Sequence, residues 1–156
     1  MRTEEGDATA KVFVTGTGSA KNVRKVVNDL NLAMCSRPTW DLYFDLGASD
    51  VDFDLKPYKV TRLDIDGGVC DMDIELGDNG CDTEVNIDAG VSDIDISVPR
   101  TMDCKIIVES AITGKDFVGF EKTDKGRWQN PDFGKAEHQV TIRLESAVSD
   151  ISIKRE

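Results

Sequence analysis

Phe44-Asp45-Leu46-Gly47-Ala48-Ser49-Asp50-Val51 is restated as Ile65-Asp66-Gly67-Gly68-Val69-Cys70-Asp71-Met72 and again as Ile87-Asp88-Ala89-Gly90-Val91-Ser92-Asp93-Ile94. The steps are 21 and 22 residues, and a fourth copy, Leu144-Glu145-Ser146-Ala147-Val148-Ser149-Asp150-Ile151, stands near the C-terminus. A period of this size marks units that bury their apolar faces only by stacking on neighbours. Within each unit, apolar and polar residues alternate before the small residues (Leu63, Ile65 against Asp64, Asp66) and after them (Met72, Ile74, Leu76 against Asp71, Asp73, Glu75). That is the period of a strand with one buried face.

Ile65 and Met72 are seven apart, as are Phe44 and Val51, Ile87 and Ile94, and Leu144 and Ile151. On one continuous strand an odd interval sends one member of each pair to solvent, so a bend or bulge must intervene to keep both inside. The small residues Gly47, Ser49, Gly67, Gly68, Cys70, Gly90, Ser92 and Ser149 suit such a corner. The expected fold is therefore all-β: a β-solenoid-like stack of strand-corner-strand coils in which Val51, Ile65, Met72, Ile74, Ile87 and Ile94 share one core.

Working outward, 156 residues suffice for one domain with a sizeable core. Residues 1–9 read as a disordered polar segment and 10–156 as the repeat β domain, regular from about residue 40. Lys11 to Val14 alternate as a short strand ending in the turn Gly16-Thr17-Gly18-Ser19, which lacks the remainder of a phosphate loop. Val23 to Leu30 fit a helical face, while Leu30, Leu32 and Met34 alternate and favour a strand. Lys56-Pro57-Tyr58-Lys59 and Pro99-Arg100 mark turns between coils, because proline cannot donate to an interior ladder. The unit after Pro99 places Lys115 where an apolar residue belongs, and an irregular excursion over 119–135, containing Trp128 and Phe133, reads as a cap over the end of the stack, with a functional loop as the alternative.

The chain carries 30 acidic against 19 basic side chains. Residues 41–98 hold 16 of the acids against Lys56, Lys59 and Arg62, a local net of −13, while the rest sums to +2. Asp45, Asp66 and Asp88, with Glu109 and Glu145, occupy one repeat position, and Asp50, Asp71, Asp93 and Asp150 another. Strands about 4.8 Å apart turn each position into a ladder of like charge. Hydration and local hydrogen bonds are expected to offset the repulsion. A calcium cage needs 6 to 8 converging oxygens, which a flat ladder does not provide, so no metal and no cofactor is expected. Nucleic acid is disfavoured as a partner of so negative a surface.

His138 is the only histidine, and neither a nucleophile elbow nor a zinc-hydrolase motif surrounds it. No catalytic residue is expected, and the chain reads as a non-enzyme. Cys35, Cys70, Cys81 and Cys104 lack metal-ligand spacing, Cys70 fills a small corner position, and a Cys81–Cys104 disulfide stays open as an alternative. No run of 18 apolar residues occurs, and the N-terminus lacks a signal peptide's apolar segment. The chain is expected to be soluble itself, either cytosolic or a piece of a longer membrane-linked protein.

Arg37-Pro38-Thr39-Trp40-Asp41-Leu42-Tyr43-Phe44-Asp45-Leu46-Gly47-Ala48-Ser49-Asp50, the recurring Asp-x-Gly-x-Ser-Asp corners, and the run from Asp132-Phe133-Gly134-Lys135-Ala136 to Ser149-Asp150-Ile151 resemble the LiaF-like C-terminal domain and related toast-rack domains of bacteria. The resemblance spans about residues 28–156. It implies a β-solenoid-like domain that follows membrane helices in cell-envelope proteins and regulates envelope stress through a membrane protein or sensor kinase partner. It carries over no catalytic residue. The alternative is an adhesin-like module for a glycan or peptide, with Trp40, Tyr43, Tyr58 and Trp128 as its aromatic surface.

Overall fold

The computed structural model describes residues 31–156. The expected disorder of 1–9, the strand near 11–14, the turn at 16–19 and the helical face of 23–30 lie outside the described residues. The chain divides into two units, Met1–Ala33 and Met34–Glu156, and the architecture below is that of the second.

Five long strands carry it: β1 (Thr39–Asp54), β2 (Lys59–Glu75), β3 (Thr83–Val98), β4 (Asp103–Val118) and β7 (Gln139–Arg155), with a short pair, β5 (Glu121–Asp124) and β6 (Arg127–Gln129), between the last two. The long strands are all parallel and pair in the order β1-β2-β3-β7-β4, after which β6 and β5 continue the sheet antiparallel. β7 thus enters between β3 and β4, so the stack does not follow chain order. The inner positions of β7 (Val140, Ile142, Leu144, Ile151, Ile153) are buried, whereas β4 has exposed Lys115 level with Ile151. A strand with a complete apolar row suits the interior of a stack, and one interrupted by a lysine suits its end.

Every long strand bends at the same level. Gly67 pairs with Leu46 and Ala89, Val69 with Ala48 and Val91, and Gly68 between them has no Cα partner. Gly47, Gly90, Ala147 and Ala111 are skipped in the same way, so one row of small residues forms a stacked bulge running across all five strands. The bulge lets the odd interval close on itself: Ile65 and Met72 are only 2% and 3% exposed. The two arms of a strand face each other, since a methyl group added at Gly67 would lie 2.9 Å from Cys70 Sγ and 3.4 Å from Met72 Cε.

The core lies between these arms as rows, among them Leu63-Val85-Ile142-Ile106 and Ile65-Ile87-Leu144-Val108 from the first arm and Ile74-Ile96-Ile153 from the second. Val51 does not belong to it. It is half-buried and outside the core cluster, because β1 is a terminal strand of the described sheet and has a neighbour on one side only. Phe44 and Phe53 pack there instead, with ring centroids 4.6 Å apart. Residues 31–35 are irregular and Leu32 is exposed, so the expected strand at Leu32 and Met34 does not form; alternation without a partner strand does not make a ladder.

At the opposite end, the segment expected to be an irregular excursion includes the β5-β6 hairpin, which turns at Gly126 (φ 71°). Trp128 pairs with Ile106 on the first arm and meets Phe117 of the second edge-on at 4.9 Å. Lys115 escapes burial by standing over the same indole, its Nζ 5.5 Å from the ring centroid. Turns stack as well: the Asn79 side-chain amide donates to the carbonyls of Lys56 and Tyr58, both at 2.8 Å.

Candidate functional site

The alternation that fills the core leaves the complementary residues on the outer faces of the two arms. In the first arm, Asp45, Asp66, Asp88, Glu145 and Glu109 follow one another across β1, β2, β3, β7 and β4. Two residues earlier the row is Tyr43, Asp64, Asn86, Arg143 and Ile107. Together these rows line a shallow open groove of about 530 Å³. In the second arm Asp50, Asp71, Asp93 and Asp150 form a ladder ending at Gly114, beside a row of Asp52, Asp73, Asp95, Ser152 and Asp116.

The rows differ in how their charge is met. Asp64 accepts from Arg62 Nε at 2.7 Å and from the Asn86 amide at 2.7 Å, and Arg143 pairs with Glu84, so the groove's outer row is a neutralised network. Among the described residues, no ion pair reaches the Asp45-Asp66-Asp88-Glu145-Glu109 ladder or the Asp50-Asp71-Asp93-Asp150 ladder. No group of three or more His, Cys, Asp or Glu side chains is arranged to hold a metal ion among the described residues.

The corner residues fall into three rows. Gly47, Gly68 and Gly90 lie on the exposed bulge; a methyl group at Gly68 or Gly90 would stand 2.6 or 2.7 Å from the carbonyl oxygen of Gly47 or Gly68, so the backbones approach too closely for any side chain. Gly67 lies on an inner row with Leu46, Ala89 and Ser146. Ser49, Cys70, Ser92 and Ser149 share the next inner row across the bend. Outside, between the bulge and the second-arm ladder, stands Ala48-Val69-Val91-Val148, whose valines are 58%, 50% and 45% exposed. Sequence reasoning assigned these valines no role, although their place one residue after the Gly68, Gly90 and Ala147 positions already put them outside the alternation.

Asp103 was also missed. Its side chain is buried and accepts from the Asn130 amide at 3.0 Å, Gly134 N–H at 2.6 Å and Ala136 N–H at 3.2 Å. Burial works to raise its pKa, but these hydrogen bonds outweigh it and hold the carboxyl below its ordinary value. The clamp fixes the loop between β6 and β7. His138 is half-buried in that loop; its carbonyl accepts from Asp103 N–H at 3.0 Å and its Nδ1 lies 3.8 Å from Asp82. All four cysteines are free, which closes the Cys81–Cys104 alternative, and burial pushes the Cys104 thiol up to about 12. No helix among the described residues is long and apolar enough to cross a membrane.

A parallel sheet folded along a bulge, with its core between the arms and its charge outside, defines an all-β toast-rack architecture. The family described as the N-terminal domain of toast_rack, DUF2154, matches residues 2–97, more than half the chain, and the protein belongs to that family. A solved structure of a candidate cell adhesion protein from Clostridium sporogenes is similar in fold, with a TM-score of 0.71 at 22% identity. The alignment covers 78% of this chain and 57% of that one, so the chain spans little over half of that protein's length. A search of curated proteins finds no match.

Proposed function

We propose that this chain is a non-enzymatic domain of a cell-envelope protein, membrane-linked in its full-length form, that senses or regulates envelope stress through contact with a membrane protein or sensor kinase. The observation that carries this reading is the outward display of registered rows of carboxylates and valines on a toast-rack fold, an arrangement suited to meeting another surface. Catalysis has little to draw on. The buried Cys104 thiol stays protonated near neutral pH and is a poor nucleophile. A second reading, an adhesin-like module for a glycan or peptide, is favoured by the fold of the Clostridium sporogenes protein and by exposed Tyr43 at the rim of the groove. Trp40, Tyr58 and Trp128 support it less, being packed against the core.

Deletion and complementation in the native host, with a wall-active antibiotic as challenge and an envelope-stress reporter as readout, test the proposal. Deletion should change reporter induction, and wild-type protein and a His138→Gln variant should both restore it. An unchanged reporter together with lost attachment to glycan-coated surfaces would favour the adhesin reading. Failure of a normally folded His138→Gln variant would reopen catalysis.

A further inference from the structure

Resting on that reading, we infer that the outer edge of the bend is the docking site for a cationic amphipathic helix of a partner protein, seated on the Val69-Val91-Val148 ridge between the two carboxylate ladders. Along β2 the outward sequence is Asp66, Gly68, Val69, Asp71, and β3 and β7 repeat it as Asp88, Gly90, Val91, Asp93 and Glu145, Ala147, Val148, Asp150. Each valine therefore has a carboxylate two residues after it, about 6.6 Å along the strand, and another three residues before it, across the bulge. Solitary exposed valines need no explanation, but these three are stacked in register on adjacent strands and form one apolar line.

The flanking charge selects the occupant. An anionic membrane surface and a second copy of this edge are both repelled by two ladders that carry no ion pair among the described residues. A segment with apolar residues along its centre and Lys or Arg on both flanks satisfies ridge and ladders together. Spacing favours a helix over a strand. The apolar stripe of a helix repeats about every 5.4 Å, close to the roughly 4.8 Å between the valine-bearing strands, whereas same-face residues of an extended strand repeat about every 6.6 Å and fall out of step within two or three contacts. The glycine and alanine row beside the valines lets the helix approach the backbone closely.

The test uses the full chain and a labelled synthetic peptide of about four helical turns, with leucines on one stripe and lysines on both sides, read by fluorescence anisotropy. A peptide of the same composition with scrambled order controls for charge alone. The ordered peptide should bind at least tenfold more tightly than the scrambled one. The triple variant Val69→Ser, Val91→Ser, Val148→Ser should lose that advantage while keeping its melting temperature, because all three side chains are exposed. Asp66→Asn with Asp88→Asn should weaken binding and flatten its salt dependence, while Asp73→Asn with Asp95→Asn, one row farther out, should change it less. Equal binding of ordered and scrambled peptides, undiminished binding to the serine variant, or no binding at all would overturn the inference, as would recruitment of the wild-type chain but not the serine variant to phosphatidylcholine vesicles. A negative antibiotic-reporter experiment alongside ordered-peptide binding would instead reject the envelope-stress reading and leave the docking edge standing.

Discussion

The hydroxyls of Ser146 and Ser149 lie 2.7 Å apart across the bend of β7. One strand over, Ala89 stands level with Ser146 and Ser92 with Ser149, and the buried Ser92 hydroxyl has no partner among the described residues. The orphan follows from the alanine: the position that supplies a partner in β7 offers only a methyl group in β3.

An Ala89→Ser variant should therefore gain about 1 kcal/mol by restoring the cross-bend hydrogen bond, and Ser92→Ala should be neutral or mildly stabilising because it removes an unpaired buried group. Denaturant unfolding of both variants checks this. A loss of more than about 1 kcal/mol in Ser92→Ala would mean that the hydroxyl is bonded.

The bulge row predicts a sharp contrast between two glycines. A methyl group at Gly68 collides with the Gly47 carbonyl, so Gly68→Ala should cost about 1–3 kcal/mol. At Gly47 nothing lies within 4 Å of the added carbon, and Gly47→Ala should stay within about 0.5 kcal/mol of wild type. Equal melting temperatures for the two variants would refute the close-packed row.

Asp103 predicts a pH dependence. Its carboxyl is held below the ordinary value in the folded state, so the unfolded chain takes up the proton first as pH falls. The contribution is complete above the unfolded value of about 3.9 and disappears as pH drops through the lower folded value. Asp103→Ala should destabilise at neutral pH, by about 1–3 kcal/mol for the buried donors it strands, and the stability difference from wild type should shrink in that acid range. A difference that is constant from neutral to strongly acid pH would rule out the carboxylate as its source.

The ladders predict a response to salt. Screening should raise the melting temperature generically, since the Debye length falls to about 10 Å at 0.1 M and about 3 Å at 1 M. Calcium should add little beyond magnesium at equal ionic strength, because each level of a ladder offers one carboxylate per strand. A saturable calcium transition in calorimetry of chelator-treated protein would contradict this.

Much of the fold was legible because the seven-residue interval is a geometric contradiction with one solution, a bend, and the structure resolves Ile65 and Met72 in that way. Registered rows follow from the repeat itself. Strand order was not legible: repeats that look alike do not say which neighbour each will choose, and only Lys115 in β4 hinted that β4 belongs toward an end. Val51 was placed in the core because its repeat position says inside, but position in the stack decides burial as much as alternation does. The β5-β6 hairpin escaped notice because Glu121 to Asp124 carries no apolar alternation; its pairing follows from the docking of Trp128. Asp103 was one acid among 30, and only the folded loop distinguishes it.

The place of β7 between β3 and β4 bears on how the protein is made. While a ribosome is still adding Gln139–Arg155, β3 and β4 have been synthesised but their common neighbour has not, so Ile96 on one side and Ile106 on the other wait for a row that does not yet exist. Docking those two strands directly would bury the same apolar surface in the wrong order, and undoing it would require separating a paired ladder. β1, β2 and β3 can pair in chain order, but native joining of β3 to β4 is held back until β7 is translated, a delay that favours keeping β4 loose and leaves chaperones a window on that part of the sheet.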